Sequence, residues 1–134
     1  MRVIYILFLL LIASCSGVKK NETKFIDTFV LANFSEHAII VSNSSETFAL
    51  CYTIQKGTLM QPGNRLEYII VDVAEGKIVF RETKFNASVK WYNDLYIKVD
   101  SSPEVQSKSD DVNRQMKVYY INVKTLNKLT DLPN

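Results

Sequence analysis

The chain predicts an all-β fold, an antiparallel sandwich or curved sheet of about six to seven short strands, and three stretches carry that expectation. Residues 47–54, "TFALCYTI", alternate strictly, with Phe48, Leu50, Tyr52 and Ile54 on one face and Ala49, Cys51 and Thr53 on the other. That period of two belongs to a strand. "LEYIIVDV" and "KIVFRET" flank "AEG", which reads as a hairpin whose three-residue loop places Gly76 in the left-handed region. "ASVKW" and "LYIKV" then flank a polar turn in the same manner.

At the start of the chain, Arg2 is the only charge before an apolar run from Val3 to Ala13. A membrane span needs about 20 apolar residues, so this run reads as a cleavable signal. The residues that close it, Ile12, Ala13, Ser14 and Cys15, resemble the lipobox of bacterial lipoproteins. The resemblance implies a diacylglyceryl group on the Cys15 thiol, cleavage before Cys15, and a further acyl chain such as palmitate on the new amine. Residues 1–14 are then the signal peptide and 15–24 a lipidated flexible tether. At about 0.8 kcal/mol per buried methylene, two or three chains hold a protein on a bilayer durably, whereas one binds reversibly. Ser16, which is not Asp, implies the outer membrane of the envelope as the destination.

Lys19, Lys20 and Lys24 fit a solvated spacer, or contacts to anionic head groups at about 1 kcal/mol each. The alternative is an ordinary secretory signal cut after Cys15 or Ser16, giving a secreted β-domain. Its Asn-x-Ser/Thr triplets at Asn21, Asn33, Asn43 and Asn86 would then be glycan acceptors. In a chain rich in Asn, Ser and Thr they read as coincidence.

A single β-rich domain follows, residues 25–134. "KFIDTFVLANF" has two readings: Phe25, Ile26, Phe29 and Val30 share one face of a helix, yet the β-branched and aromatic content suits a strand. A strand is expected here. "HAIIVSN" and "MKVYYINV" supply further strands. In the 66–82 hairpin a three-residue loop sets Val73 opposite Lys77, Val71 opposite Val79 and Ile69 opposite Arg81, with Ile70 meeting Phe80 and Tyr68 meeting Glu82. Both faces are partly apolar, so the hairpin should be central, with packing on each side.

In the second hairpin, a loop of Tyr92, Asn93 and Asp94 pairs Trp91 with Leu95, Val89 with Ile97 and Ala87 with Val99. That leaves Lys90, Tyr96, Ser88 and Lys98 on a polar face, and a two-residue loop would mix the faces. The blocks "YIIVDVAEGKIVF" and "VYYINVKTLNKL" resemble propeller blades in strand, turn and strand. A closed propeller needs at least four blades of about 40 residues, so the likeness is expected to reflect hairpin chemistry alone. Residues 101–115, "SSPEVQSKSDDVNRQ", form one long polar loop, a kind that is usually functional or disordered.

Chemistry is sparse. A net charge of +2 argues against a nucleic-acid binder that works through a basic surface. His37 is the single histidine and has no companion at metal-ligand spacing. Asp110 and Asp111 lack the alternating oxygens and glycine of a calcium loop. No nucleophile elbow or phosphate-cradling glycine loop occurs, so no catalytic residue, metal or cofactor is expected.

Once Cys15 is acylated, Cys51 is the only free thiol. It reads as a small buried side chain rather than a nucleophile, for want of a base beside it. The best candidates for partner contact are Tyr92, Asn93, Asp94 and Tyr96, since exposed tyrosines give large contact area at low entropic cost. The alternative is that the same rings simply cover a second sheet or a neighbouring loop, as residues like Tyr often do in ordinary cores.

The expected function is therefore a membrane-anchored envelope lipoprotein acting as a noncatalytic module for a protein or glycan partner. Two alternatives stand beside it. One is a tethered inhibitor or immunity-type protein with its determinants on 101–115. The other is a small hydrolase, which requires a concave pocket with converging ionisable groups.

Overall fold

A computed structural model describes residues 18–61, 63–101 and 117–132, with side chains from Lys24 onward. The signal segment, Cys15 and nearly all of the 101–115 loop lie outside the described residues. The described chain is mainly β, as expected, in two four-stranded antiparallel sheets. The first contains β1 (Ile39–Ser42), β2 (Phe48–Gln55), β3 (Arg65–Asp72) and β4 (Lys77–Phe85), side by side in chain order. The second contains β5 (Ala87–Trp91), β6 (Tyr96–Ser101), β7 (Val118–Asn122) and β8 (Lys128–Leu129), again in chain order.

One face of the first sheet, its front, packs on the second. Leu50, Leu66, Tyr68 and Ile70 from the first sheet and Val89, Ile97, Val99, Ile121 and Val123 from the second form one buried cluster. The other face of the first sheet, its back, forms a second cluster of Ala49, Cys51, Ile69 and Val71. The two faces predicted for residues 48–54 are therefore both correct, and each has its own core.

What covers that back corrects the strand expected at 24–34. Val18–Asn33 is a helix, α1, which begins inside the segment 15–24 read as a tether. Ile26 and Val30, one helical turn apart, are buried against Ala49, Cys51, Ile69 and Val71, with Phe29 and Phe34 beside them. A strand of these residues would send Ile26 and Val30 to one side but Phe29 to the other, whereas a helix turns all three toward the sheet. Burial of this stripe outweighs the weak local preference for extended backbone. The helix ends where Phe34 and Ser35 both donate their N–H to the Val30 carbonyl, at 2.9 and 3.1 Å. There Arg81 donates to the Asn33 carbonyl at 3.2 Å and stacks over Phe34, placing a cation at the negative end of the helix.

The 66–82 hairpin has the predicted pairs Ile69 with Arg81, Ile70 with Phe80 and Tyr68 with Glu82. Nearer the turn the register slips by one: Val71 pairs with Ile78 and Asp72 with Lys77. The loop is thus four residues, Val73 to Gly76, and Val79 is the extra residue of a bulge that absorbs the difference. Gly76 takes φ 59° as expected, and a Cβ there would meet the Phe25 ring at 2.9 Å. Of the two strands, β3 is interior and packed on both faces, while β4 is an edge strand.

In the second hairpin the register is displaced by two. Trp91 pairs with Ile97, Val89 with Val99 and Ala87 with Ser101. The turn moved because Asn93 Oδ1 accepts the N–H of both Leu95 and Tyr96, each at 2.9 Å. Since side chains alternate with a period of two, a shift of two leaves every residue on its predicted face.

Candidate functional site

The four residues singled out for partner contact divide into two kinds. Asn93 is occupied in shaping its own turn, as above. Asp94 joins the sheets: its carboxylate accepts the Ser45 N–H at 2.8 Å, and its carbonyl accepts from Asn43 Nδ2 at 3.0 Å. The hydrogen bonds from Ser45, its backbone N–H first, hold the Asp94 carboxyl below its ordinary range. Asn43 is itself buried, and its Oδ1 accepts the N–H of Thr47 and Phe48. That side chain has no room for a glycan.

Tyr92 and Tyr96 are available. Tyr92 is 54% exposed and meets Tyr120 edge to face, with ring centroids 5.1 Å apart. Tyr96 lies on the outward face of β6 together with Lys98, and Lys98 is paired directly with Tyr120 of β7. This outward face of the second sheet, its front, therefore carries Tyr92, Tyr96 and Tyr120 around the facing pair Lys90 and Lys98. Tyr120 was missed in the sequence, although the alternation of "VYYIN" separates it from Tyr119 and Ile121. What was not legible was the β6–β7 register, which spans the 101–115 loop.

A second constellation has no sequence signature at all. Glu82 lies at the rim of the intersheet core, with its side chain 16% exposed. Its Oε2 accepts Tyr68 Oη at 2.5 Å and Tyr119 Oη at 2.9 Å. Its Oε1 accepts Lys128 Nζ at 2.6 Å and lies 3.3 Å from Lys84 Nζ. Lys128 also stands over the rings of Phe80 and Tyr119. Burial works against the Glu82 charge, but the bonds from Lys128, Tyr68 and Tyr119 together hold the carboxyl below its usual value. Burial first, and then the bond to Glu82, drives the Tyr68 hydroxyl well above its normal range. A carboxylate with both oxygens engaged by hydroxyls and ammonium groups is a weak proton acceptor. Its chemistry here is to clamp Tyr68 and Glu82 of the first sheet to Tyr119 and Lys128 of the second.

Cys51 is fully buried beneath α1. Burial, with a smaller contribution from the charge of Asp27, pushes its thiol up to about 12. It is not a thiolate near neutral pH, so it packs as a small apolar side chain. His37 is exposed, with Nε2 3.4 Å from the Glu36 carboxylate. Among the described residues, no three His, Cys, Asp or Glu side chains converge as a metal site would require. No family model, curated protein or solved structure matches the chain.

Proposed function

We propose that the protein is a bacterial lipoprotein, held by lipid on Cys15 at the outer membrane of the cell envelope, whose β-domain is a noncatalytic module for a protein or glycan partner. The observation that carries this reading is the position of Cys15, closing a short apolar run behind Ile12, Ala13 and Ser14. No helix among the described residues is long and apolar enough to cross a membrane, so attachment in this reading comes from acyl chains. The saturated carboxylate of Glu82 and the un-ionised thiol of Cys51 support binding rather than turnover. The tyrosines on the front of the second sheet supply the contact surface, since such rings give rigid amphipathic area.

The test is mass spectrometry of the mature N-terminus from membranes, with the copurifying partners. The expected product begins at Cys15 and carries a diacylglyceryl group. An unacylated product that begins beyond Cys15 and is recovered outside the cell would overturn the anchor. Cys15→Ser is expected to release or misprocess the protein while its thermal unfolding midpoint stays where it was. A loss of folding in that variant counts against a simple tether.

A further inference from the structure

The two sheets are copies of one unit. The pairs Phe48–Asp72, Ala49–Val71, Leu50–Ile70 and Cys51–Ile69 of β2 and β3 correspond in order to Tyr96–Asn122, Ile97–Ile121, Lys98–Tyr120 and Val99–Tyr119 of β6 and β7. The flanking details agree. Val73 donates its N–H to the Thr47 carbonyl at 3.1 Å, and Val123 donates to the Leu95 carbonyl at 2.9 Å. The Asp72 carboxylate accepts Glu75 N–H, as Asn122 Oδ1 accepts Lys124 and Thr125 N–H. Four residues after Asp72, Gly76 has φ 59°, and four residues after Asn122, Leu126 has φ 61°. A non-glycine residue in the left-handed region is uncommon, so Leu126 in the conformation of Gly76 at the equivalent position marks the same turn built twice. The blade-like sequence blocks occupy equivalent places, and the likeness extends beyond hairpin chemistry.

This equivalence sets the sense of stacking. The front of the first sheet, with Phe48, Leu50 and Ile70, packs on Ile97, Val99 and Ile121. Those three residues are the equivalents of Ala49, Cys51 and Val71, which form the back of the first sheet and lie under α1. The sheets therefore pack front to back rather than front to front. Stacking of this kind closes only when enough copies complete a ring, and two copies leave one front uncovered at one end among the described residues. α1 covers the back at the other end. The unused front carries Tyr96, Lys98 and Tyr120 where the first sheet has Phe48, Leu50 and Ile70. One ring thus remains, Ile70 is replaced by a further ring, and Leu50 is replaced by a lysine directly opposite Lys90. Neither lysine has an ion pair among the described residues, and like charges opposed across a sheet are destabilising.

We infer that the front of the second sheet docks another antiparallel β-sheet, one that belongs to a partner protein and presents an aliphatic back. This names the partner class for the contact face proposed above and rests on that reading. The continuation of the intersheet packing supplies the sheet, and the aliphatic back that already meets Leu50 and Ile70 supplies its chemistry.

The probe is a second copy of residues 87–132 joined after Asn134 of the full chain, with its own Tyr96 and Tyr120 changed to Phe so that the copies differ in mass. Hydroxyl-radical labelling of the resident Tyr96 and Tyr120 is compared with that in the parent chain. In a monomeric tandem the labelling is expected to fall at least about fivefold, because side chains between packed sheets lose contact with water. A resident Lys98→Leu, which restores the residue type of Leu50, should deepen the protection, and Val99→Asp in the added copy should abolish it.

Undiminished labelling overturns the proposal, and so does an added copy that stays unfolded, since the open front should template it. Protection confined to the Lys98→Leu tandem also overturns it, because the native front then accepts no sheet. The same holds if the parent chain already shows low labelling at both tyrosines, through a second copy or its own 102–116 segment. If the tandem fails while Tyr120→Ala still abolishes capture of a copurifying partner, the contact face stands and only the sheet partner falls.

Discussion

The two sheets share one plan but differ in how many of their faces are covered. The first lies between α1 and the second sheet, so β3 reads as the run "LEYIIV", with Leu66, Tyr68, Ile69, Ile70 and Val71 all buried. Among the described residues the second sheet is covered on its back alone, and β6 alternates buried Ile97 and Val99 with half-buried Tyr96, Lys98 and Asp100. A strand packed on two sides loses its alternation, and one packed on a single side keeps it. Composition therefore records which faces of each sheet the described residues cover.

Substitutions can break this contrast, and the largest effect is expected in the shared core. Ile70→Ala, on the fully buried front of the first sheet, should cost about 2–5 kcal/mol. Tyr120→Ala at the equivalent position should stay within about 1 kcal/mol, because the ring is only partly buried. Denaturant unfolding of the two variants measures the gap, and equal losses would mean that the second front is covered after all.

Next comes the Glu82 clamp. Glu82→Leu leaves the Tyr68 hydroxyl without its acceptor and should cost about 1–3 kcal/mol. Its pH dependence has a definite sign. The folded carboxyl lies below its ordinary value of 4.5, so the folded state binds fewer protons than the unfolded one in that region. The contribution is therefore present above pH 4.5 and is lost as pH falls through the lower, folded value. Thermal melts between neutral pH and pH 3 should show the parent losing more stability on acidification than Glu82→Gln does. Parallel curves would remove the charge from the account.

The smallest effects compare the equivalent turns. Gly76→Ala places a Cβ at positive φ against Phe25 and should cost about 1–2 kcal/mol. Leu126→Gly, at the matching position of the second sheet, relieves the same backbone strain. It should leave stability unchanged or raise it by up to about 1 kcal/mol, as thermal denaturation can show.

Read in order of contact range, the residues explain what could be foreseen. The strands of "TFALCYTI" and "VYYIN", the two faces of β2 and the left-handed Gly76 follow from alternation and turn chemistry, which act over a few residues. The second hairpin was displaced by two yet kept its faces, because a period of two cannot tell those registers apart. The bulge at Val79 escaped for a similar reason: both registers of that turn bring apolar residues together. For the contact residues, Tyr92 was legible as a loop residue and Tyr96 as an amphipathic side chain on a polar face. The structural duties of Asn93 and Asp94 were not, because Asp94 acts on Ser45 and Asn43 in the other sheet.

The sequence by itself determined the strand periodicity, the segregation of apolar from polar faces and the short apolar run that ends at Cys15, since each of these depends on neighbours along the chain. Only the tertiary structure decided that residues 18–33 coil rather than extend, that Glu82 gathers two tyrosines and two lysines, and that one sheet backs onto the front of its copy. Those outcomes rest on burial shared between distant segments: the stripe of Ile26 and Val30 has no preferred conformation until the back of the first sheet exists to receive it.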